Sequence, residues 1–421
     1  MFLWSLMNNL FYTILQSIFY FATKINSTHP QFALYFLFIL SFWILIYFCY
    51  IKLKYPFWFI QPVCHTYSLF PTRKIAIIKE DPIRTKFTKP NLVQTYVWNN
   101  VDETKQNKII DFLQCYFIDT EDNFLFQLPI NSLNSYCEKC IFDALVSIIC
   151  NNDAGNIVGV SFAKPVLFFY CDLFDNNICK EKIIFHWDFF ATHRTIATLQ
   201  NARELFQTHE YNQRQLYPKF KISCFRKEVE LCGGVVPFSV FQTHYYYLQN
   251  LQTISTTTEQ ENTTYTFQKL TKKHKEPLNH ILYNVAKNIF PFCVLPTFDN
   301  LLEMMKSNYL LIFGVFLGDE LVSLYFFKNN YTNYEFYGNS VQCIGAISVD
   351  GSQNNFLFGF EKCCEYLFHS SFGLLLVDDN SHLAKIIPEI KLQKKTSIIC
   401  GFYFYNLEIP TVVSSSVLIL V

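Results

Sequence analysis

The sequence predicts an α/β protein carried behind an N-terminal membrane anchor, and three observations support that reading. Strand-like apolar runs alternate with mixed, helix-like segments over most of the chain. Residues 32–51 contain no charge and consist largely of Phe, Leu, Ile, Tyr and Trp. A stretch rich in Ser, Thr, Gln and Glu, residues 253–264, divides the chain beyond the anchor into two parts of comparable size.

Composition sets limits on this reading. The 421 residues hold 34 basic and 34 acidic side chains, so no net field draws the chain to nucleic acid, and no nucleic-acid partner is expected. Fifteen cysteines are an odd number, and several, such as Cys150 and Cys293, sit in apolar runs; this favours buried free thiols in a reducing compartment over a disulfide scaffold. Cys137 and Cys140 form a CxxC without a second one, which leaves ordinary packing ahead of a metal site, and no metal is expected.

The anchor is residues 1–52. Twenty apolar residues at ~1.5 Å rise each cross a ~30 Å hydrocarbon core, so 32–51 is a spanning candidate. Lys52 and Lys54 come immediately after it and place the rest of the chain on the cytoplasmic side. Residues 2–23 are apolar with a polar stripe at helical spacing, which suits a second span or an interfacial helix.

Residues 53–252 form the first part. Asn156–Tyr170 reads as a strand, a break and a strand, 183–190 as a further strand, and 202–216 as a helix. Residues 265–421 form the second part. There 309–316, the turn Gly318-Asp-Glu320 and 321–327 repeat the strand-turn-strand theme, a weak echo of a duplicated unit.

The run Tyr55-Pro-Phe-Trp-Phe-Ile-Gln-Pro-Val63 is the most specific feature of the chain. It resembles the Tyr-x-Phe-Trp-x-Thr-Gln-Pro-Val signature of N-myristoyltransferases, departing only at Ile60. Aromatics near a membrane also form interfacial belts, but a belt does not require the order Gln-Pro-Val. The segment Phe206–Arg214 is similar to the divergent, viral-type members. The resemblance implies two fused acyl-CoA N-acyltransferase (GNAT-like) halves, the first holding the acyl-CoA and the second supplying much of a peptide groove. It implies transfer of a fatty acyl group from myristoyl-CoA, a co-substrate, to the N-terminal glycine of a peptide or protein partner, and the span adds the membrane as a second partner.

The same resemblance assigns roles residue by residue. Tyr55, Pro56, Phe57 and Trp58 would contact the coenzyme. Trp187–His193 lies over the family's Asn-Phe-Leu-Cys-Val-His strand, so the Phe189 and Phe190 amides would face the thioester oxygen, with Ala191 and Thr192 continuing along the coenzyme. Thr198, Gln200, Asn201 and Ala202 fall where a phosphate loop runs into a helix. No basic side chain of that loop remains, and Asn201 with Glu204 also fits a helix-capping pair. Acyl binding is therefore expected to survive more easily than turnover.

The apolar tail ending at Val421 resembles the family's C-terminus, whose own carboxylate accepts the proton of the glycine ammonium; a plain final buried strand is the simpler reading of that tail. Asp119, Glu121, Phe124, Phe126 and Tyr246 match groove positions, although the acidic ones also fit a solvated loop. His209 lies on a helix face, where a core histidine is the simpler reading. Two alternatives to peptide acylation stand beside it: an acyl- or peptide-binding scaffold on the same fold, and an N-acyltransferase acting on a small amine.

Overall fold

The structure is a computed structural model that describes residues 30–68, 75–118, 124–151, 155–171, 179–248 and 265–421. The candidate span at 2–23, the polar stretch 253–264, and Asp119 and Glu121 lie outside these residues.

The chain opens with helix α1, Pro30–Lys54, which contains the sequence-predicted span. It is long and apolar enough to cross a membrane. Its described side chains between Tyr35 and Tyr50 are exposed all round, Leu40 in part. Ser41 turns its hydroxyl back onto the Leu37 carbonyl at 2.8 Å, so this polar group needs no water.

Among the described residues, the body is built on one sheet of fifteen strands. In the first part, β2 (Val93–Val97), β4 (Leu145–Cys150), β5 (Ile157–Cys171) and β6 (Cys179–Thr192) pair antiparallel in sequence order. Helix α4 (Leu199–Leu216) then crosses to β7 (Ser223–Glu228), parallel to β6. The second part repeats this order. β9 (Tyr265–Lys269), β11 (Leu310–Leu317), β12 (Glu320–Tyr334) and β13 (Gly338–Ser348) pair antiparallel. Helix α8 (Gln353–His369) leads to β14 (Phe372–Asp378), parallel to β13. The strand expected from residue 156 and that expected from residue 321 are thus β5 and β12, equivalent strands of the two units.

The units exchange their last strands. β8 (Ser239–Tyr247) leaves the first part to pair with β14, and β15 (Lys394–Tyr405) returns from the second to pair with β7. β8 and β15 pair with each other at the centre. β10 (Phe292–Leu295) joins β5, and β17 (Val417–Ile419) runs parallel to β10 at the sheet's end. The short remaining strands are β1 (Ala76–Ile77), β3 (Phe124–Phe126) and β16 (Leu407–Glu408). Helices α2 (Glu103–Tyr116), α3 (Ile130–Cys137), α5 (Lys275–His280), α6 (Ala286–Ile289), α7 (Phe298–Lys306) and α9 (Leu383–Ile386) complete the fold.

The expected break within Asn156–Tyr170 is absent, because β5 runs continuously through Pro165. Pro165 stands opposite Phe185, whose N–H points away to Ile222 O at 3.0 Å. That makes the pair non-hydrogen-bonded, so the proline nitrogen faces the gap between the partners β4 and β10, where no donor is required. Among the cysteines, Cys171 and Cys179 are opposed at the ends of β5 and β6 and joined as a disulfide, an exception to the free-thiol expectation.

Candidate active site

β6 and β7 pair only from Phe185 to Trp187 and then diverge. Directly beyond, β6 bulges: Phe162 pairs with Asp188 and Val160 with Ala191, so Phe189 and Phe190 have no strand partner on either side. Phe189 has φ of +49°, an unfavourable conformation for an aromatic residue, and it is held by burial of its ring among Phe117, Tyr136 and Phe162. β13 bulges at the equivalent point, Ile344, just after its parallel pairing with β14 ends.

Both bulges line one cavity of about 1000 Å³. Its lining includes Tyr55, Pro56, Phe57 and Trp58 from the first part and Tyr309, Tyr331 and Tyr334 from the second. Phe57 packs edge-on against Phe87 and Phe206, and Trp58 stacks on Phe225, which fixes this wall on α4 and β7. α4 is itself held where Arg214 donates to Lys79 O and Glu80 O and pairs with Glu210.

Val421 lines the same cavity. Leu420 N–H donates to Val294 O at 2.9 Å, so the ladder of the last strand stops one residue short of the terminus. Ile419 and Val421 face the cavity, while Leu418 and Leu420 lie against Gly345, as strand alternation requires. A Cβ on Gly345 would stand 3.0 Å from the Leu420 side chain and 3.2 Å from that of Leu418. The C-terminal segment therefore fills, in the second unit, the cleft that is open in the first. Gly345→Val is expected to push the terminus from its seat and to lower any reaction needing Val421 by roughly tenfold or more, at about 1–3 kcal/mol of overpacking cost. Unchanged turnover in the folded variant would show that the seat is immaterial.

Several sequence-predicted positions do not face the cavity. Tyr246 points into the core of the second unit and Tyr245 lines the cavity instead, since neighbours on a strand face opposite sides. Ala191 and Thr192 rejoin the ladder opposite Val160 and Gly159. Phe126 lines the cavity, whereas Phe124 packs on Tyr334. At α4 the N-cap is Thr198 and not Asn201. Asn201 Oδ1 accepts from Thr198 N–H at 2.8 Å, and Thr198 Oγ accepts from Asn201 N–H at 3.3 Å. Gln200 turns onto Glu204. Ala202 lines the cavity, as do Leu199 and Arg203.

The loop before α4 is saturated in the same way. His193 Nδ1 accepts from the Thr195 and Ile196 amides, each at 3.3 Å, and His193 O accepts from Ala197 N–H. Few backbone donors there remain for a phosphate.

Sequence reasoning missed the charged groups inside the cavity. Asp188 Oδ1 accepts from the Phe189 amide at 2.8 Å, and its Oδ2 pairs with Lys328 Nζ of β12 at 3.3 Å. Burial opposes ionisation of Asp188, yet Lys328, His186 and the Phe189 amide hold its carboxyl below the usual range. Burial likewise opposes the Lys328 charge and is outweighed by Asp188, so the ammonium is held above its ordinary value. Farther in, Arg226 binds Asp378 through two hydrogen bonds of 2.6 and 3.1 Å, and Thr243 and Gln342 also donate to that carboxylate. Charges inside apolar strands were the available signal, because each demands a buried partner.

His209 is a core residue: it bonds Ser147 Oγ at 2.7 Å, and burial pushes its pKa down to about 3. His186, beside Tyr136, is pushed down to about 3 as well, chiefly by burial. Both are neutral when folded and take up protons in the unfolded chain below about pH 6.5. Their contribution is complete above that pH and is lost as pH falls toward about 3, by up to roughly 1.4 kcal/mol per pH unit each. Thermal unfolding in detergent at descending pH should show this decline, with a shallower slope in His209→Gln; an identical slope would exclude His209 as a source.

The bulged, diverging parallel pair beside a long cavity, present twice in one sheet, defines a duplicated acyltransferase-type α/β fold. In particular, it is the N-myristoyltransferase fold. A structure of Saccharomyces cerevisiae N-myristoyltransferase with bound myristoyl-CoA superposes with a TM-score of 0.65, at 10% identity, over 86% of this chain and 89% of that one. A second with bound myristoyl-CoA gives 0.66 at 10% identity, covering 85% and 94%. A third, with myristoyl-CoA and inhibitors, gives 0.66 at 11% identity, covering 85% and 91%. No protein-family model matches the chain, and no curated protein matches its sequence.

Proposed function

We propose that the protein transfers a long acyl chain, of myristoyl type, from coenzyme A to the N-terminal glycine amine of a peptide or protein. The observation that carries this reading is that the β6 bulge, the Tyr55–Trp58 wall and Val421 border a single cavity. The glycine nitrogen, freed of one ammonium proton, attacks the thioester carbonyl; a C–N bond forms, the C–S bond breaks, and a second nitrogen proton passes to the departing sulfur, so that the coenzyme leaves as its thiol. Negative charge on the carbonyl oxygen is met by the Phe190 amide, and by that of Phe189 once Asp188 turns away. Preorganised donors of this kind are worth roughly 3–4 kcal/mol.

The Val421 carboxylate takes the amine proton. A carboxyl of pKa about 3.5 removing a proton from an amine of about 7.8 works uphill by about 6 kcal/mol. A site that strips water from the carboxylate narrows that gap. The second part of the chain, across the cavity, would receive the peptide.

One observation favours a second reading, an acyl-binding scaffold: the Phe189 donor is occupied by Asp188, and the loop before α4 turns its amides onto its own side chains. Incubating the full chain in detergent with myristoyl-CoA and glycine-starting peptides separates the readings. Thiol release that requires the peptide supports transfer; binding without release supports the scaffold. Preference for acetyl-CoA and a small amine would overturn both.

A further inference from the structure

The anchor and the cavity are joined without slack. The hydrogen bonds of α1 run on through Tyr55 N–H to Ile51 O at 2.8 Å and Phe59 N–H to Tyr55 O at 2.9 Å. Ile51, only 3% exposed, is already buried in the body. The Tyr55 ring lies flush on Gly233 and Gly234, where added Cβ atoms would stand 2.7 and 2.9 Å from it. Gln61 accepts from the Tyr405 hydroxyl at 2.6 Å. Lys54 and the four residues after it line the cavity. At ~1.5 Å per residue, that wall begins within about one helical turn of the span's end.

On its α4 and β7 side the cavity lining mixes exposed apolar side chains with charged ones, among them Arg203, Lys227 and Glu228. Leu199 and Val229 line the cavity yet are 68% and 71% exposed, and Ile196, in the self-satisfied loop before α4, is 54% exposed. Exposed apolar side chains with basic ones beside them, on a cavity that also reaches Lys54 at the end of α1, match the boundary between headgroups and acyl chains.

We infer that the cavity opens into the interfacial layer of the membrane that α1 crosses, and that a long-chain acyl donor enters it sideways from the bilayer. This rests on the acyl-transfer reading and adds a route to it. A long acyl chain pays for every methylene it exposes to water, a cost that a passage from bilayer to cavity avoids. It also offsets a weak grip on the coenzyme phosphates, because a donor confined to the same bilayer is present at high effective concentration.

The test uses the full chain in nanodiscs of phosphatidylcholine and phosphatidylserine, with a pyrene-labelled long-chain acyl-CoA supplied either in the same bilayer or, to protein in detergent, from water. Two variants accompany it: about ten Gly and Ser residues inserted between Tyr50 and Ile51, a tether long enough to release the body from the surface, and Ile196→Glu. Expected is unchanged affinity from detergent solution, with uptake from the bilayer slowed about tenfold or more in the inserted variant and less in Ile196→Glu. Equal uptake from the bilayer by all three proteins overturns the lateral route and leaves the acyl-binding reading intact. Failure of the original chain to bind the probe in either medium overturns both.

Discussion

A chain lengthened by one residue beyond Val421 is expected to lose transfer and keep acyl binding. The added residue moves the carboxylate by about 3.3–3.6 Å, the span of one extended residue, and puts a neutral amide where it stood. Loss of a positioned base costs typically 10²–10⁴-fold in rate. The fold should tolerate the change, because the ladder of the last strand ends at Leu420 and its buried packing is made by Val417, Leu418, Ile419 and Leu420. Steady-state turnover compared with acyl-CoA affinity reads the effect directly. Turnover within a factor of about two of the original chain would remove Val421 from the mechanism.

The second large effect concerns Asp188. Its carboxylate sits on the Phe189 amide that the proposed transfer would use, and a negative charge beside a developing oxyanion would oppose that reaction. The resemblance places a neutral Asn in this strand position. Asp188→Asn should raise kcat by roughly tenfold with little change in KM, a small part of what one preorganised donor can supply. The same change leaves Lys328 without its carboxylate, at a cost of roughly 1–3 kcal/mol that thermal unfolding should register. A fall in kcat without loss of folded protein would show that Asp188 instead assists the acceptor amine.

The parts of the candidate site that the sequence suggested are those written in contiguous residues. Tyr55–Val63, the strand through Phe189 and the apolar tail each carry their pattern within a few positions, and the structure brings all three to one cavity. What could not be read depends on juxtaposition. Asp188 meets Lys328 across 140 positions, and Arg226 meets Asp378 across 152, because exchange of β8 and β15 knits the two units together. Single-residue phase was lost as well: Tyr245 and not Tyr246 faces the cavity, and a one-residue slip inverts a strand. The cap at Thr198 was masked by Asn201, which serves in the same box from the other end.

The central pairing of β8 with β15 has a consequence for how the molecule can come apart. Each unit completes its sheet with a strand belonging to the other, so neither is a finished object alone. A protease nick between Leu248 and Tyr265 would leave two interleaved fragments held by the whole middle of the sheet, and separate expression of either would leave long bare edges prone to aggregation. The two copies behave like clasped hands: synthesis can place them in order, but only unfolding can part them.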